Sequence, residues 1–125
     1  MSDQVLSWVR IDSSDPVPPY EQLRLQILAA ANDGRLPVGT RLPPVRTLAA
    51  ELGLAVNTVA RAYRELEHAE IVTTRSRAGT VISAPAGDAR RRVADAAKVY
   101  ADAVHANGLA ADAALAIVEA ALRSR

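Results

Sequence analysis

Residues 42–82 constrain this chain most, because they carry two short runs of helical periodicity, broken at a single glycine and followed by a β-branched stretch. Val45, Leu48, Ala49 and Leu52 fall at i, i+3, i+4 and i+7, and Val59, Ala62, Tyr63 and Leu66 repeat that spacing. Each run therefore predicts a helix with one buried stripe. Gly53 sits where the first of these helices needs a left-handed stop, and residues 53–55 must turn the chain before the second begins near Val56. Two helices joined in this way follow the grammar of a helix-turn-helix. Residues 71–75 and 80–83 are β-branched runs separated by Ser76, Arg77, Ala78 and Gly79. They predict a two-stranded hairpin, a wing beside the helices.

The rest of the chain bounds what can surround this unit. With 125 residues, half of them apolar, there is material for one compact domain and a small appendage, and a large ligand-binding domain does not fit. Trp8, Tyr20, Tyr63 and Tyr100 are the whole aromatic set, so the core must be built from Leu, Val, Ile and Ala with close helix packing. The net charge of +1 selects no partner, but its distribution is uneven. Residues 1–34 hold two arginines against five acids, residues 35–84 seven against four, and residues 85–125 six basic side chains against five acidic. Positive charge thus collects on the helix-turn-helix segment.

Without cysteine there are no disulfides, thiolate metal sites or cysteine nucleophiles. The polar and acidic N-terminus does not read as a signal peptide, and no stretch reaches membrane-spanning length, so a soluble cytoplasmic protein is expected. His68 and His105 fall in separate segments, with no phosphate loop, nucleophile elbow or metal-ligand spacing. Neither catalysis nor a metal or other cofactor is expected.

Upstream, a short extended lead with Trp8, Val9 and Ile11 passes through a proline-rich stretch into a helix that should begin near Pro19. That helix would bury Leu23, Ile27 and Ala30 and end near Asn32, at the stop cluster Asn32, Asp33 and Gly34; residues 36–40 read as a turn. Downstream, Ala84, Pro85, Ala86 and Gly87 break periodicity and composition together. Two domains are expected, a winged helix-turn-helix over residues 1–84 and a helical hairpin over residues 88–125. Val93, Ala97, Tyr100 and Val104 make one apolar stripe of that hairpin; Ala111, Leu115, Val118 and Leu122 make the other. So little apolar bulk cannot form a core alone, and the simplest cover is the same pair of helices from a second subunit. The expected fold class is mainly α with a small β-hairpin.

These residues resemble the GntR family of bacterial transcription regulators, in its short YtrA-like branch. Pro19, Tyr20, Glu21 and Gln22 are similar to the family's helix-one opening, and residues 34–43 to its Gly-Arg-Leu, Pro-Gly and Leu-Pro signature. Residues 45–49 and 57–67 complete the match. The same amino-terminal block occurs in MocR-like regulators, where it would imply a fused aminotransferase-like domain for which this chain is too short. The YtrA-like resemblance implies a homodimer, held by the C-terminal helices, that represses a promoter, often of a transporter operon, through a palindromic operator. The chain departs from the pattern at Ala55, where the family usually has Asn or Ser, and at Val56. Ala55 supplies no side-chain cap, which costs about 1 kcal/mol relative to Ser or Asn.

The candidate DNA-binding residues are Arg46, Asn57, Thr58, Arg61, Arg75, Arg77 and Gly79. Asn57 and Thr58 lie in the first turn of the second helix, suited to adenine for Asn57 and to phosphate or a thymine methyl for Thr58, with local capping as the alternative. Arg46 is the signature arginine and suits guanine or phosphate. Arg61, one turn beyond Asn57, would contact phosphate or base, or else pair with Glu65. Arg75 and Arg77 at the hairpin tip suit the minor groove or its phosphates, with Gly79 permitting close approach and a merely solvated charge as the alternative for Arg75. Arg90, Arg91 and Arg92 read as a solvated face, with contact to flanking DNA as the alternative. The partners expected are a double-stranded DNA operator and a second copy of the chain, with room for an unidentified small-molecule effector and no membrane. A second function class stays open, an interaction or effector-sensing adaptor whose winged helix no longer binds DNA; steep salt dependence of duplex binding would separate the two.

Overall fold

The computed structural model describes residues 5–76 and 79–124. The chain forms two compact units, Met1–Ala89 and Arg90–Arg125. Its elements run in the order α1 (Pro19–Asp33), α2 (Val45–Leu52), α3 (Val56–His68), β1 (Val72–Arg75), β2 (Gly79–Ile82), α4 (Asp88–Ala106) and α5 (Ala111–Arg123).

In the first unit α3 is the central helix, packed against both α1 and α2. Its stripe of Val59, Ala62, Tyr63 and Leu66 is buried, as the periodicity predicts. Pro19, with φ fixed near the helical value, opens α1, which buries Leu23, Ile27, Ala30 and Ala31 and stops at Gly34 with φ 91. In α2, Leu48 and Ala49 are buried while Val45 and Leu52 are half-buried. Gly53 takes φ 68, and the amide of Leu54 closes the turn on the Ala49 carbonyl at 2.9 Å.

The N-terminal lead is tied down more firmly than its sequence suggests. Leu6 and Val9 join the core. Gln26 exchanges two hydrogen bonds with the backbone of Arg10, at 3.1 and 2.8 Å, and Gln22 two with that of Asp12, both at 2.8 Å. The two side-chain amides, one helical turn apart on α1, replace the neighbouring strand that the lead lacks.

The hairpin pairs Val72 with Ile82, Thr73 with Val81, Thr74 with Thr80 and Arg75 with Gly79. Gly79, expected in the turn, belongs instead to β2, where its φ of 73 lets the register reach Arg75. Residues 36–40, expected as a plain turn, lead into a third edge of this sheet: Arg41 bridges Val81 antiparallel, and the amides of Gly39, Leu42 and Ile82 are bonded across it at 2.8, 2.8 and 2.9 Å. Val72 and Ile82 turn inward to the core.

In the second unit α4 and α5 are joined around Gly108, with φ 69. Tyr100 Oη donates to the Ala114 carbonyl at 2.7 Å. An apolar groove of about 350 Å³ runs between the helices, lined among others by Tyr100, Val104, Leu115 and Val118. Much of the predicted stripe is open to solvent: Val93 is 69% exposed, Leu115 70% and Leu122 76%. Among the described residues no helix is long and apolar enough to cross a membrane.

Candidate nucleic-acid interface

The start of α3 is built without a side-chain cap. Ala55 precedes it with φ −64 and ψ 146, an N-cap conformation, but has no oxygen to offer the first turn. Thr58 and Val59 direct their amides to the Ala55 carbonyl, at 3.0 and 3.4 Å. The amides of Val56 and Asn57 meet no acceptor among the described residues. They stand at the positive end of the helix, where an anion or an electron-rich base edge is favoured. Asn57 is exposed and Thr58 half-buried, and neither side chain makes a hydrogen bond among the described residues. Local capping, the alternative use of both, is therefore not what occupies them.

Arg46 is the second residue of α2 and exposed, and its guanidinium has no hydrogen-bond or acidic partner among the described residues. Its place relative to α3 is fixed by Tyr63, whose buried hydroxyl donates to the Pro43 carbonyl at 2.7 Å, just ahead of α2. Burial pushes the Tyr63 phenol well up, and the negative charge of Glu51 adds to the shift, so the donor stays protonated.

Arg61 is more committed. Its Nε donates to Glu65 Oε2 at 3.2 Å, and its guanidinium lies 3.7 Å from the centre of the Tyr20 ring. Glu65 also stands 3.8 Å from Arg24, which is held by Glu21 at 2.6 Å. That hydrogen bond to Glu21 is the main cause of an upward shift in the Arg24 pKa, against an opposing effect of burial. The ion pair that competes with DNA contact at Arg61 is thus formed, although the two terminal amino groups of Arg61 make no hydrogen bond among the described residues. Arg64 was missed by the sequence reading. It is exposed and unpaired among the described residues, and its spacing of i+7 from Asn57 on α3 was the available signal.

At the wing, Arg75 is exposed and Gly79 half-buried in the adjoining strand. Arg77 lies outside the described residues. Arg41, also missed, runs its guanidinium against Gly79. Arg91 makes an exposed ion pair with Asp95 at 3.6 Å, in keeping with a solvated face. No group of three or more His, Cys, Asp or Glu side chains among the described residues is arranged to hold a metal ion. The first unit offers a helix end with open amides, several exposed guanidinium groups and a hairpin edge, which is chemistry for meeting a polyanion with hydrogen-bonding edges.

Comparison with known proteins gives the family. Residues 19–82 match the family described as bacterial regulatory proteins, gntR family. The chain is 50% identical over 108 residues to the HTH-type transcriptional regulator Rv1152 of Mycobacterium tuberculosis, covering 85% of this chain and 87% of that protein. It is 39% identical over 75 residues to the HTH-type transcriptional repressor YtrA of Bacillus subtilis, covering 60% of this chain and 58% of the repressor. Among solved structures, YtrA from Sulfolobus acidocaldarius, a GntR-family transcription factor, superposes with a TM-score of 0.58 at 28% identity, over 73% of this chain and 96% of that one. A transcriptional regulator from Oenococcus oeni gives 0.54 at 28% identity, over 90% and 97%.

Proposed function

This chain belongs to the GntR family of bacterial regulatory proteins and is a DNA-binding transcription regulator; from that premise we propose that it acts in the cytoplasm as a homodimeric repressor, seated on a palindromic operator of a transporter-type operon. The observation that carries the reading is the open first turn of α3, where the amides of Val56 and Asn57 and the side chains of Asn57 and Thr58 meet no partner among the described residues. A helix end so furnished is suited to the major groove.

In this reading Asn57 pairs with adenine, Thr58 bonds phosphate or packs on a thymine methyl, and Arg46 takes guanine or phosphate through its fork of donors. Arg61 turns its terminal amino groups to the same groove, while Arg75, Arg77 and the backbone at Gly79 follow the adjacent minor groove. A second copy supplies the second half-site, and the exposed apolar side chains of α4 and α5 support pairing through those helices. Repression is supported by the names of relatives such as the Bacillus subtilis YtrA repressor.

Footprinting and fluorescence anisotropy on the chain's own upstream region test this. Two protected half-sites related by symmetry, with affinity falling steeply as salt rises, are expected. Indifference to every duplex at low salt would overturn the reading.

A further inference from the structure

The edge of the wing carries a cationic pair that lies outside both helices of the helix-turn-helix. Arg75 stands opposite Gly79 in the hairpin register, and Arg41 bridges Val81 on the other side of β2. Directly opposed residues share a sheet face and alternate residues of a strand return to it, so Arg41, Val81, Gly79 and Arg75 all lie on one face. A methyl group at Gly79 would stand 3.4 Å from Arg41 Nε and 3.6 Å from Nη2. The Arg41 side chain therefore runs diagonally across the glycine, toward the strand that bears Arg75.

Both arginines are exposed, and among the described residues neither has a hydrogen bond or an acidic partner. Arg24, Arg35, Arg61, Arg91 and Arg123 each face a carboxylate, whereas Arg41 and Arg75, like Arg46 and Arg64, have none among the described residues. Two like charges on one sheet face do not stabilise the fold. The glycine that leaves room for Arg41 is itself held at φ 73.

We infer that Arg41 is a further DNA-binding residue, holding a backbone phosphate of the duplex beside Arg75. The assignment rests on the DNA-binding reading above. A phosphate rather than a base fits because the Arg41 backbone is pinned to the edge of the sheet and its side chain is spent in crossing Gly79, leaving short reach. The contact is accordingly blind to sequence.

Full-length chain carrying Arg41→Gln is titrated by anisotropy against the footprinted operator and against an unrelated duplex of equal length, over a range of salt. Affinity for both duplexes is expected to fall together, by roughly tenfold. The salt slope is expected to lose about 0.9, the value for one phosphate. Arg41→Lys, which keeps the charge but not the fork, is expected to retain the slope. Unchanged affinity and slope in Arg41→Gln, with wild type binding normally, overturn the inference and leave the DNA-binding reading intact. A loss confined to the operator overturns it in favour of base recognition, and a wild type that binds no duplex removes both together.

Discussion

Tyr63 does two things at once, filling the centre of the α3 stripe and holding the entrance of α2 through its hydroxyl. The ring position is legible from spacing, since Tyr63 falls on the i, i+3, i+4 pattern. The hydroxyl's partner is not, because Pro43 is twenty residues away in sequence. Replacing Tyr63 with Phe keeps the packing and orphans a buried carbonyl, which costs about 1–3 kcal/mol. The urea midpoint should fall with an unchanged slope. The pH dependence follows from the upward shift of the phenol caused by burial and Glu51. A group whose pKa is higher in the folded than in the unfolded state contributes fully below the unfolded value, about 10 for tyrosine, and loses that contribution as pH rises beyond it. The gap between wild type and Tyr63→Phe should therefore hold constant through neutral pH and close in alkali. A gap that widens above pH 10 would show that the hydroxyl is not held in the way described.

Among the elements, those with local signals were legible. The stripes of α2 and α3 and the stop at Gly53 could be read directly, because a helix buries residues three and four apart. The end of α3 is different: no glycine marks it, and Glu70 adopts φ 63 instead. The third edge of the sheet at Arg41 and the clasp of Gln22 and Gln26 on the N-terminal lead were also hidden, being pairings across many residues with no periodicity of their own. The same gap hides the exposed guanidinium of Arg41 at the sheet edge, whereas the place of Arg64 on the face of Asn57 follows from its i+7 spacing. At the start of α3 the sequence did speak, through the alanine where a capping oxygen belongs. Ala55 already has the extended N-cap conformation, so Ala55→Ser adds the missing acceptor with no backbone change. It should stabilise the first unit by about 1 kcal/mol. Thermal melting checks this, and a melting temperature that stays put would mean that the serine hydroxyl finds no amide. Because the new bond would occupy an amide of the first turn, operator affinity measured alongside reports whether that amide serves DNA.

For the whole molecule, the question is what covers the second unit. Val93, Leu115 and Leu122 lie largely in water, and full burial of a side chain of this kind is worth about 1.5–3 kcal/mol. Closing such faces against a second copy would supply several kcal/mol, while α4 and α5 alone gain little from one another beyond the Tyr100 bond. The first unit needs none of this. Its core runs from Leu6 to Ala84, and Gly87 still bonds back to Asn32 at 2.9 Å. Truncation is therefore best made after Ala89, later than the compositional break at residues 84–87 suggests, because Asp88 is itself buried. Residues 1–89 should keep the helical spectrum of the first unit and run as a monomer in light scattering. Their operator affinity should drop by about a hundredfold or more, since two linked modules bind a paired site with an effective concentration that one module lacks. If the shortened chain still runs as a dimer, the exposed stripes of α4 and α5 are not the contact, and the second copy must be held through the first unit instead.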